Sequence, residues 1–328
     1  MKKYNIIATI ILVTVIFGSL KVNAQDIHFS QYDASPIVLN PSLTGMYKDA
    51  NYKATNQYRS QWDAVTRKSY LSSIITYDMP FKEKWGMGAY LINDNSARVY
   101  NSFSFVLSGA HDIAIDEQNR HRLSVGLQLG IIYKSTRIDD YLFDDQYSEG
   151  TFHSDISTGE VFEKNARIMP EINLGFSYQN AEENKTANPY GGLAVFHITN
   201  PKENLTPVGN SRLPLRFVFH GGSKIIISDK VTLDPKLLLM RQRNAMEINI
   251  GTYSYFQLQD KDVQLIAGAN YRWNDAVIIT GGLFYKNFIY RISYDFNVSS
   301  LSEFSSYKGG LEFSLVFYKT INRSTRLL

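Results

Sequence analysis

Apolar and polar residues alternate in short runs along residues 50–320. Over residues 122–131, every second position holds an aliphatic side chain: Leu123, Val125, Leu127, Leu129 and Ile131. Small or polar residues stand between them, and the same pattern returns over residues 246–250 and 311–317. Because successive strand side chains point to opposite faces, this pattern predicts β-strands with one aliphatic face and one polar face.

Fourteen such runs, separated by turn-rich intervals, define the predicted strands. They cover residues 50–62, 66–79, 85–94, 99–113, 121–136, 171–180, 190–199, 215–226, 231–241, 245–258, 262–273, 276–286, 288–298 and 309–320. Intervals as short as Asn274-Asp275 suit hairpins between antiparallel neighbours. Single-chain outer-membrane barrels have an even number of strands, as this chain is predicted to have.

The runs fit a membrane barrel better than a secreted β-sandwich, the soluble fold that also alternates. Many reach about ten residues, the length of a tilted membrane strand. The polar face is rich in Gly, Ser, Gln, Asn and Arg, whereas a sandwich core would be apolar. Aromatic residues gather near strand ends, as in interfacial girdles: Tyr70, Tyr77, Phe81, Tyr178, Tyr285, Phe288 and Tyr290. We therefore predict an all-β fold, a transmembrane antiparallel β-barrel of about 14 strands over residues 50–328.

Two segments precede the predicted barrel. Lys2 and Lys3, the apolar run of residues 6–20 and small residues up to Ala24 give residues 1–24 the layout of a secretory signal peptide. A transmembrane anchor is the alternative, but the run is shorter than the ~20 residues that span a bilayer. Residues 25–49 carry Pro36 and Pro41 and do not alternate, which predicts an irregular N-terminal segment. Its apolar and aromatic residues suggest a plug or docking segment packed in the lumen or at the rim.

Composition excludes several classes of function. The predicted signal peptide holds three of the 34 lysines and arginines and none of the 31 aspartates and glutamates, so the remaining chain is electrically balanced. A nucleic-acid-binding protein would show a basic excess. The chain has no cysteine, which excludes disulfides, a lipidated cysteine and a cysteine nucleophile. A barrel remains compatible with the modest hydropathy, because only every second strand residue faces lipid.

Catalytic and metal-binding patterns do not stand out. The histidines are scattered, at positions 28, 111, 121, 153, 197 and 220, and neither an HExxH, a G-x-S-x-G nor a P-loop pattern occurs. Clustered carboxylates could bind calcium, namely Asp139, Asp140, Asp144 and Asp145. They lack the spacing and turn glycine of a calcium loop, which favours a solvated loop. We predict no enzyme, no metal and no cofactor.

The longest interval, residues 138–168, is acidic and polar. Outer-membrane barrels place their long loops on the external side, so we predict an external loop here. Four polar-face residues could line an open pore or equally a filled, hydrogen-bonded lumen: Glu247, Asn249, Arg272 and Glu312. His197, in the run HITNP, is expected at a strand end, with Pro201 ending the strand because proline lacks a backbone donor.

Short motifs run in a particular order along nearly the whole chain after residue 24. They are FSQY at 29–32, LNPSLTG at 39–45, WGMG at 85–88, LIND at 91–94, LSVGLQ at 123–128, FDDQY at 143–147, GLAVFHITNP at 192–201, YDF at 294–296 and GLE at 310–312. In their order and number they resemble the PorP/SprF family of the Bacteroidetes type IX secretion system. One departure is the C-terminus, which continues past Phe317 and Tyr318, whereas barrels commonly end on an aromatic residue.

The resemblance implies an outer-membrane barrel that acts in type IX secretion and has no catalytic residues. Members of the family are associated with large secreted adhesins, including gliding-motility adhesins, whose C-terminal domains are recognised at the barrel. They are often associated with a periplasmic peptidoglycan-binding protein or lipoprotein. We therefore expect the barrel to bind and anchor, or help export, a secreted surface protein. The alternative is a passive or substrate-specific porin for small solutes.

The candidate partner-binding residues lie in two stretches of the sequence. The first follows the predicted signal peptide and contains Phe29, Gln31, Tyr32, Asn40 and Pro41. The second lies in the long polar interval and contains Asp144, Asp145 and Tyr147. The expected partners are the secreted cargo, the periplasmic protein and outer-membrane lipid, with no nucleic acid.

Overall fold

The computed structural model describes residues 26–47, 50–61, 70–97, 99–114, 120–137, 144–148, 150–153, 156, 165–182, 185–204, 210–258, 262–300, 302–303 and 305–320. The predicted signal peptide, residues 1–24, lies outside these ranges. So do Asp139 and Asp140 and much of the predicted external loop.

Fourteen antiparallel strands close into a barrel, which confirms the predicted fold class and strand number. The strands are β1 Ala50–Gln61, β2 Tyr70–Phe81, β3 Trp85–Ser96, β4 Tyr100–Ala114, β5 His121–Thr136, β8 Ala166–Asn180, β9 Ala187–Phe196, β10 Arg216–Ser228, β11 Val231–Gln242, β12 Ala245–Gln257, β13 Val263–Arg272, β14 Ala276–Tyr285, β15 Phe288–Asn297 and β16 Lys308–Thr320. A separate small hairpin consists of β6 Tyr147–Ser148 and β7 Thr151–Phe152. Strand β16 pairs with β1, and this pairing closes the barrel.

The aliphatic face of the strands points outward and the polar face points into the lumen. In β5, Leu127 and Leu129 are 46% and 51% exposed, whereas Gln128 between them is 0% exposed. Four of the predicted girdle aromatics are also exposed: Tyr77, Phe81, Tyr285 and Tyr290. An apolar exterior around a polar interior suits a bilayer and is the reverse of a soluble sandwich. The sandwich alternative is therefore wrong.

The two ends of the barrel differ in the length of their connections. At one end the strands are joined by short turns, such as Lys82–Lys84 between β2 and β3 and Lys286-Asn287 between β14 and β15. The other end carries residues 137–165 between β5 and β8 and residues 197–215 between β9 and β10. We name them the short-turn end and the long-loop end. Outer-membrane barrels keep short turns in the periplasm and long loops outside.

Three predicted strand boundaries were wrong by three or more residues. Strand β8 begins at Ala166 instead of residue 171, and β9 runs over Ala187–Phe196 instead of residues 190–199. Residues 66–69, where β2 was predicted to begin, lie outside the described residues. In β8, Ala166 to Pro170 pair with Ser135 to Ile131 of β5, although Pro170 lacks a donor. Strand β9 ends at Phe196 because the next residue, His197, takes a left-handed φ of 60°. That turn, and not Pro201, ends the strand.

Residues 26–47, which we name the luminal segment, run along the inside of the barrel. The backbone N–H of Asp26 donates to Gln242 Oε1 (2.8 Å) at the long-loop end. The Tyr47 hydroxyl donates to the backbone oxygen of Asp78 near the short-turn end, where β1 begins. The segment therefore passes from the long-loop end to the short-turn end before the first strand.

Two short helical turns shape the middle of the luminal segment. Helix α1, Pro36–Leu39, has proline at its first position, where the missing N–H costs nothing. A 3₁₀ turn, Pro41–Leu43, follows, and the side chain of Asn40 caps it by accepting from Ser42 N (3.0 Å). The two prolines that excluded a strand in this stretch of the sequence thus start compact turns.

Candidate functional site

The luminal segment is held near the long-loop end by a buried carboxylate of the last strand. Glu312, on β16, accepts the backbone N–H groups of Ser30 (2.7 Å) and Gln31 (2.9 Å). The Gln57 side chain, on β1, donates both to Glu312 (2.6 Å) and to the backbone oxygen of Gln31 (3.1 Å). One carboxylate thereby joins the segment to both strands at the closure of the barrel.

Four charged side chains surround this contact, and we name them the ionic cluster: Arg59, Arg272, Asp295 and Glu312. Arg59 donates to Asp295 (2.7 Å) and to Glu312 (2.9 Å). Arg272 donates to Asp295 (2.8 Å). Each of the four side chains is at most 5% exposed, and the charges balance two against two. Removing one partner would leave a buried charge without compensation, which is strongly destabilising.

Ser30 and Gln31 complete the hydrogen bonding of the cluster. The Ser30 hydroxyl donates to Asp295 (2.8 Å) and accepts from Arg272 (3.1 Å). The Gln31 amide donates to Ser293 Oγ (3.0 Å), and its oxygen accepts from Ser314 Oγ (2.6 Å). The Ser30 hydroxyl and the Gln31 side-chain amide therefore both have hydrogen-bond partners on the barrel wall, as buried polar groups require.

Asp33, two residues after Gln31, is held by two cationic side chains of the barrel wall. Its Oδ2 accepts from Lys236 Nζ and from Arg291, each at 2.9 Å. Burial would raise the pKa of Asp33, but the attraction of Arg291 and Lys236 outweighs it and holds the pKa well below its ordinary value. Lys236 also lies over the ring of Tyr253, 3.8 Å from its centroid. Asp33 is therefore ionised and bound to strands β11 and β15 of the wall.

Asp26 forms a further charged group at the mouth of the long-loop end. Its carboxylate contacts His197 and Arg216, and the other ring nitrogen of His197 lies 2.9 Å from Glu171. Burial lowers the pKa of His197, but Asp26 and Glu171 outweigh this effect and raise the pKa to about 9. Burial likewise acts to raise the pKa of Asp26, and His197 with Arg216 hold it well below its ordinary value. A protonated His197 donates to both carboxylates.

The polar contacts of the second half, residues 37–45, are mostly with uncharged groups, although the Gly45 N–H donates to the Asp78 carboxyl group of β2 (2.8 Å). The Asn40 amide donates to the backbone oxygens of Phe176 (3.1 Å) and Leu193 (3.3 Å) on β8 and β9 and contacts His220 on β10. The Thr44 hydroxyl lies 2.6 Å from Ser108 Oγ on β4. Apart from Asp78, these partners are backbone oxygens and uncharged side chains, unlike the charged partners of residues 26–33.

Glycines of the wall allow the segment's backbone to come close. A Cβ added at Gly126 of β5 would overlap the backbone of Pro41 and Ser42. A Cβ at Gly86 of β3 would overlap the backbone oxygen of Thr44. Glycine on the polar face therefore marks places where main chain packs directly on main chain.

Apolar side chains fill the space between these polar contacts. Ile37 is 0% exposed and packs with Tyr90 and Val106 of the wall. Tyr32 packs beside the buried cluster that contains Phe196. A cavity lined in part by Tyr32 and Val38 measures about 50 Å³, room for only a few water molecules. The segment is thus packed against the wall by apolar as well as polar contacts.

The candidate residues of the two sequence stretches occupy two different places. Five of them lie in the lumen: Phe29, Gln31, Tyr32, Asn40 and Pro41. Asp144 lies in the 3₁₀ turn Asp144–Gln146 of the long loop. Asp145 and Tyr147 beside it are exposed. The rings of Tyr147 and Phe152 stand 5.6 Å apart in the small hairpin. The structure therefore separates a buried contact set from a surface set.

The sequence analysis identified some luminal residues and missed others. The four that it named are all buried on the lumen side, as a filled lumen requires: Glu312, Arg272, Glu247 and Asn249. Arg59 and Asp295 were missed, although both are charged residues at inward positions of the alternating pattern. That position is the signal that would have found them. Ser30 carried no such signal, because its segment has no strand period.

Metal and helical membrane features are absent from the part of the chain that the structure describes. Within those residues, no group of three or more His, Cys, Asp or Glu side chains could hold a metal ion. Among the same residues, no helix is long and apolar enough to cross a membrane.

Comparisons with known proteins identify a family match and similar barrels. The family described as type IX secretion system membrane protein PorP/SprF matches residues 21–317. No curated protein matches the sequence significantly. The closed barrel and the family match place the protein in the outer membrane.

Three solved outer-membrane proteins illustrate the structural likeness. The toluene transporter TbuX of Ralstonia pickettii has 8% identity and a TM-score of 0.49, over 88% of this chain and 94% of that one. A FadL homologue of Pseudomonas aeruginosa has 9% identity and a TM-score of 0.49, over 87% and 94%. CdiB from Acinetobacter baumannii has 10% identity and a TM-score of 0.45, over 83% and 60%. Likeness at these levels carries no information on what this chain binds.

Proposed function

Because the chain belongs to the PorP/SprF family of type IX secretion membrane proteins, we propose that it is a filled docking barrel. In this proposal it binds a secreted, adhesin-type surface protein through that protein's C-terminal domain. It then anchors this cargo at the cell surface or assists its export. The barrel has no enzymatic role in this scheme.

The filled lumen is the observation that carries the proposal. The luminal segment is joined to the wall by buried ionic contacts, among them Asp33 with Lys236 and Arg291. A solute crossing the barrel would have to displace these contacts and leave charges unpaired. The surfaces at the two barrel ends need no such change to receive a protein. Docking at the ends therefore fits the structure better than a porin.

The long-loop end offers the surface for the secreted cargo. Asp145 is exposed there, and Tyr147 of the small hairpin is 51% exposed beside Phe152. Exposed aromatic residues next to polar ones are typical of protein interfaces. At the opposite end, Lys82, Glu83 and Lys84 form an exposed turn that could meet a periplasmic partner. The two ends would then link a surface protein to the periplasm.

Co-purification tests the proposal. A tagged protein is extracted from native outer membranes in mild detergent, and its partners are identified by mass spectrometry. We compare the native chain with the double variant Asp145→Ala/Tyr147→Ala. The control is Tyr307→Ala, which removes another aromatic side chain at the long-loop end that is 61% exposed. We expect a large secreted protein with the native chain and the control, and several-fold less of it with the double variant.

Reconstitution provides the opposing outcome. If the barrel purifies without a secreted partner and conducts ions steadily in a planar bilayer, this would contradict the docking proposal and support the porin. Equal recovery of cargo with all three chains would place the docking surface away from the small hairpin and contradict its assigned role.

A further inference from the structure

We propose that Ser30 and Gln31 act as a clasp that closes the barrel, bound in a dipeptide socket formed by its first strand and its last two strands. The socket recognises two consecutive backbone N–H groups, a serine hydroxyl and a glutamine side chain. Its occupant is the chain's own luminal segment. The inference concerns assembly of the barrel and is independent of the cargo.

The socket is built across the closing seam. Strand β1 contributes Gln57 and Arg59, β15 contributes Ser293 and Asp295, and β16 contributes Glu312 and Ser314. Arg59 and Glu312 are direct partners in the register of β1 with β16. These strands stand at opposite ends of the barrel sequence, and only their pairing makes the socket complete.

The chain order makes a clasp useful. A hairpin brings its two strands together through a short connection, but β1 and β16 have the whole barrel between them. Bringing such distant strands together carries the largest loop-closure cost in the fold. Glu312 lies 282 positions from Ser30 and accepts its backbone N–H. Because the luminal segment directly precedes β1, its contacts with β15 and β16 hold the two edges of the sheet together.

The same contacts argue against a removable gate. With Ser30 and Gln31 withdrawn, Glu312 would lose two backbone donors, at 2.7 and 2.9 Å, while remaining buried. Asp295 would lose the Ser30 hydroxyl. Buried charges are costly when their hydrogen bonds are incomplete, so the segment stays in place in the closed barrel. The barrel thus closes around its own N-terminal segment.

Thiol cross-linking at the seam tests the clasp, since the chain has no native cysteine. Tyr58→Cys/Phe313→Cys places two thiols on outward-facing partners of β1 and β16. Ala269→Cys/Ile279→Cys places two on outward-facing partners of the hairpin β13 and β14. Each pair is combined with Ser30→Ala/Gln31→Ala. Asn40→Ala is the matched control, because Asn40 lies in the same segment and contacts β8 to β10.

The full-length purified proteins are heated in steps and treated with a short bifunctional thiol reagent. We expect Ser30→Ala/Gln31→Ala to lose the seam cross-link at a clearly lower temperature than the hairpin cross-link. Asn40→Ala should leave the order of the two losses as in the native chain. Unchanged seam cross-linking in Ser30→Ala/Gln31→Ala would overturn the proposal. Equal loss at the seam and at the hairpin would also overturn it, because the pair would then act only on general stability.

The single variant Gln31→Ala guards against failure of the double variant to fold. It keeps the four charges of the ionic cluster and the Ser30 hydroxyl. It removes the contacts of the Gln31 side chain with Ser293 and Ser314. We expect a smaller but selective weakening of the seam, and a seam as resistant as that of the native chain would contradict the clasp.

Discussion

Residues 26–33 and residues 37–45 of the luminal segment fill the same lumen by different physical means. The first half is bound by charged side chains, through the ionic cluster and through Asp33 with Lys236 and Arg291. The second half is bound mainly by close main-chain packing on glycines and by hydrogen bonds to uncharged groups. The first half contacts the strands at the closing seam and also β10 and β11, and the second half contacts β2 to β5 and β8 to β10.

The difference shows how a polar lumen can be filled without an apolar core. Where the wall presents long charged side chains, the segment supplies complementary groups, and the gap between wall and segment is bridged by side chains. Where the wall presents glycine, the gap disappears and van der Waals contact replaces charge. Substitutions that remove charge should therefore act on the first half, and substitutions that add volume should act on the second.

The largest effect is expected from Glu312→Ala. It removes the acceptor for Ser30, Gln31, Gln57 and Arg59 and leaves the guanidinium of Arg59 buried with one carboxylate fewer. We expect a loss of about 3–5 kcal/mol in the free energy of unfolding. Denaturant-dependent electrophoretic mobility of the folded barrel measures it. Glu303→Ala, at an exposed loop position, is the control and should change stability little. A small loss with Glu312→Ala would show that the first half is not bound by charge.

Gly126→Ala should have the next largest effect. Its new Cβ would overlap the backbone of Pro41 and Ser42, so the second half must move away from β5. We expect a loss of about 3 kcal/mol, typical of strong overpacking. Gly281→Ala is the matched control, since a Cβ there meets nothing within 4 Å. Stability equal to that of the control would mean that main-chain contact does not hold the second half.

The smallest effect is expected from Asp33→Asn, and it should depend on pH. The folded pKa of Asp33 lies below its ordinary value of 3.8, so its stabilising contribution is present above that pH and is lost as pH falls through the folded pKa. We expect Asp33→Asn to lose about 1–2 kcal/mol at neutral pH, and we expect this loss to shrink as pH falls below 3.8.

Thermal midpoints of both chains, measured across this pH range, test the expectation, and Gly126→Ala serves as the reference. The loss caused by Gly126→Ala involves no titrating group and should stay constant with pH. A penalty of Asp33→Asn that does not shrink in acid would show that its carboxylate contributes no ionic contact.

Part of this structure was predictable from local pattern. The strands of the barrel could be placed because apolar and polar residues must alternate along them. Lipid outside requires apolar residues on one face, and the lumen inside requires polar residues on the other. Boundaries were less accurate where a local rule was misleading. Residues 166–168 were assigned to the long polar interval but belong to β8, and the left-handed turn at His197 ended β9 before Pro201. Backbone conformation at a single residue leaves no trace in hydrophobic alternation.

The contacts of the luminal segment could not be predicted in the same way. Phe29, Gln31, Tyr32, Asn40 and Pro41 were selected as candidates through a family resemblance, and their contacts with the wall were not part of the prediction. Arg59 and Asp295, which are separated by 236 positions, had no local sign of being neighbours. The alternatives for Glu247 and Arg272, an open pore or a filled lumen, were equal at the level of sequence because both place polar residues inward.

The sequence by itself determined the barrel: its strand number, the face each strand turns outward and the irregular stretch before β1. These follow from local rules, since each residue's face depends only on its position in a strand. The tertiary structure alone decided that the segment enters the lumen, that Ser30 and Gln31 meet Glu312 across 282 and 281 positions, and that Gly126 receives Pro41. Such contacts depend on which strands become neighbours when the barrel closes, and closure is a property of the whole chain.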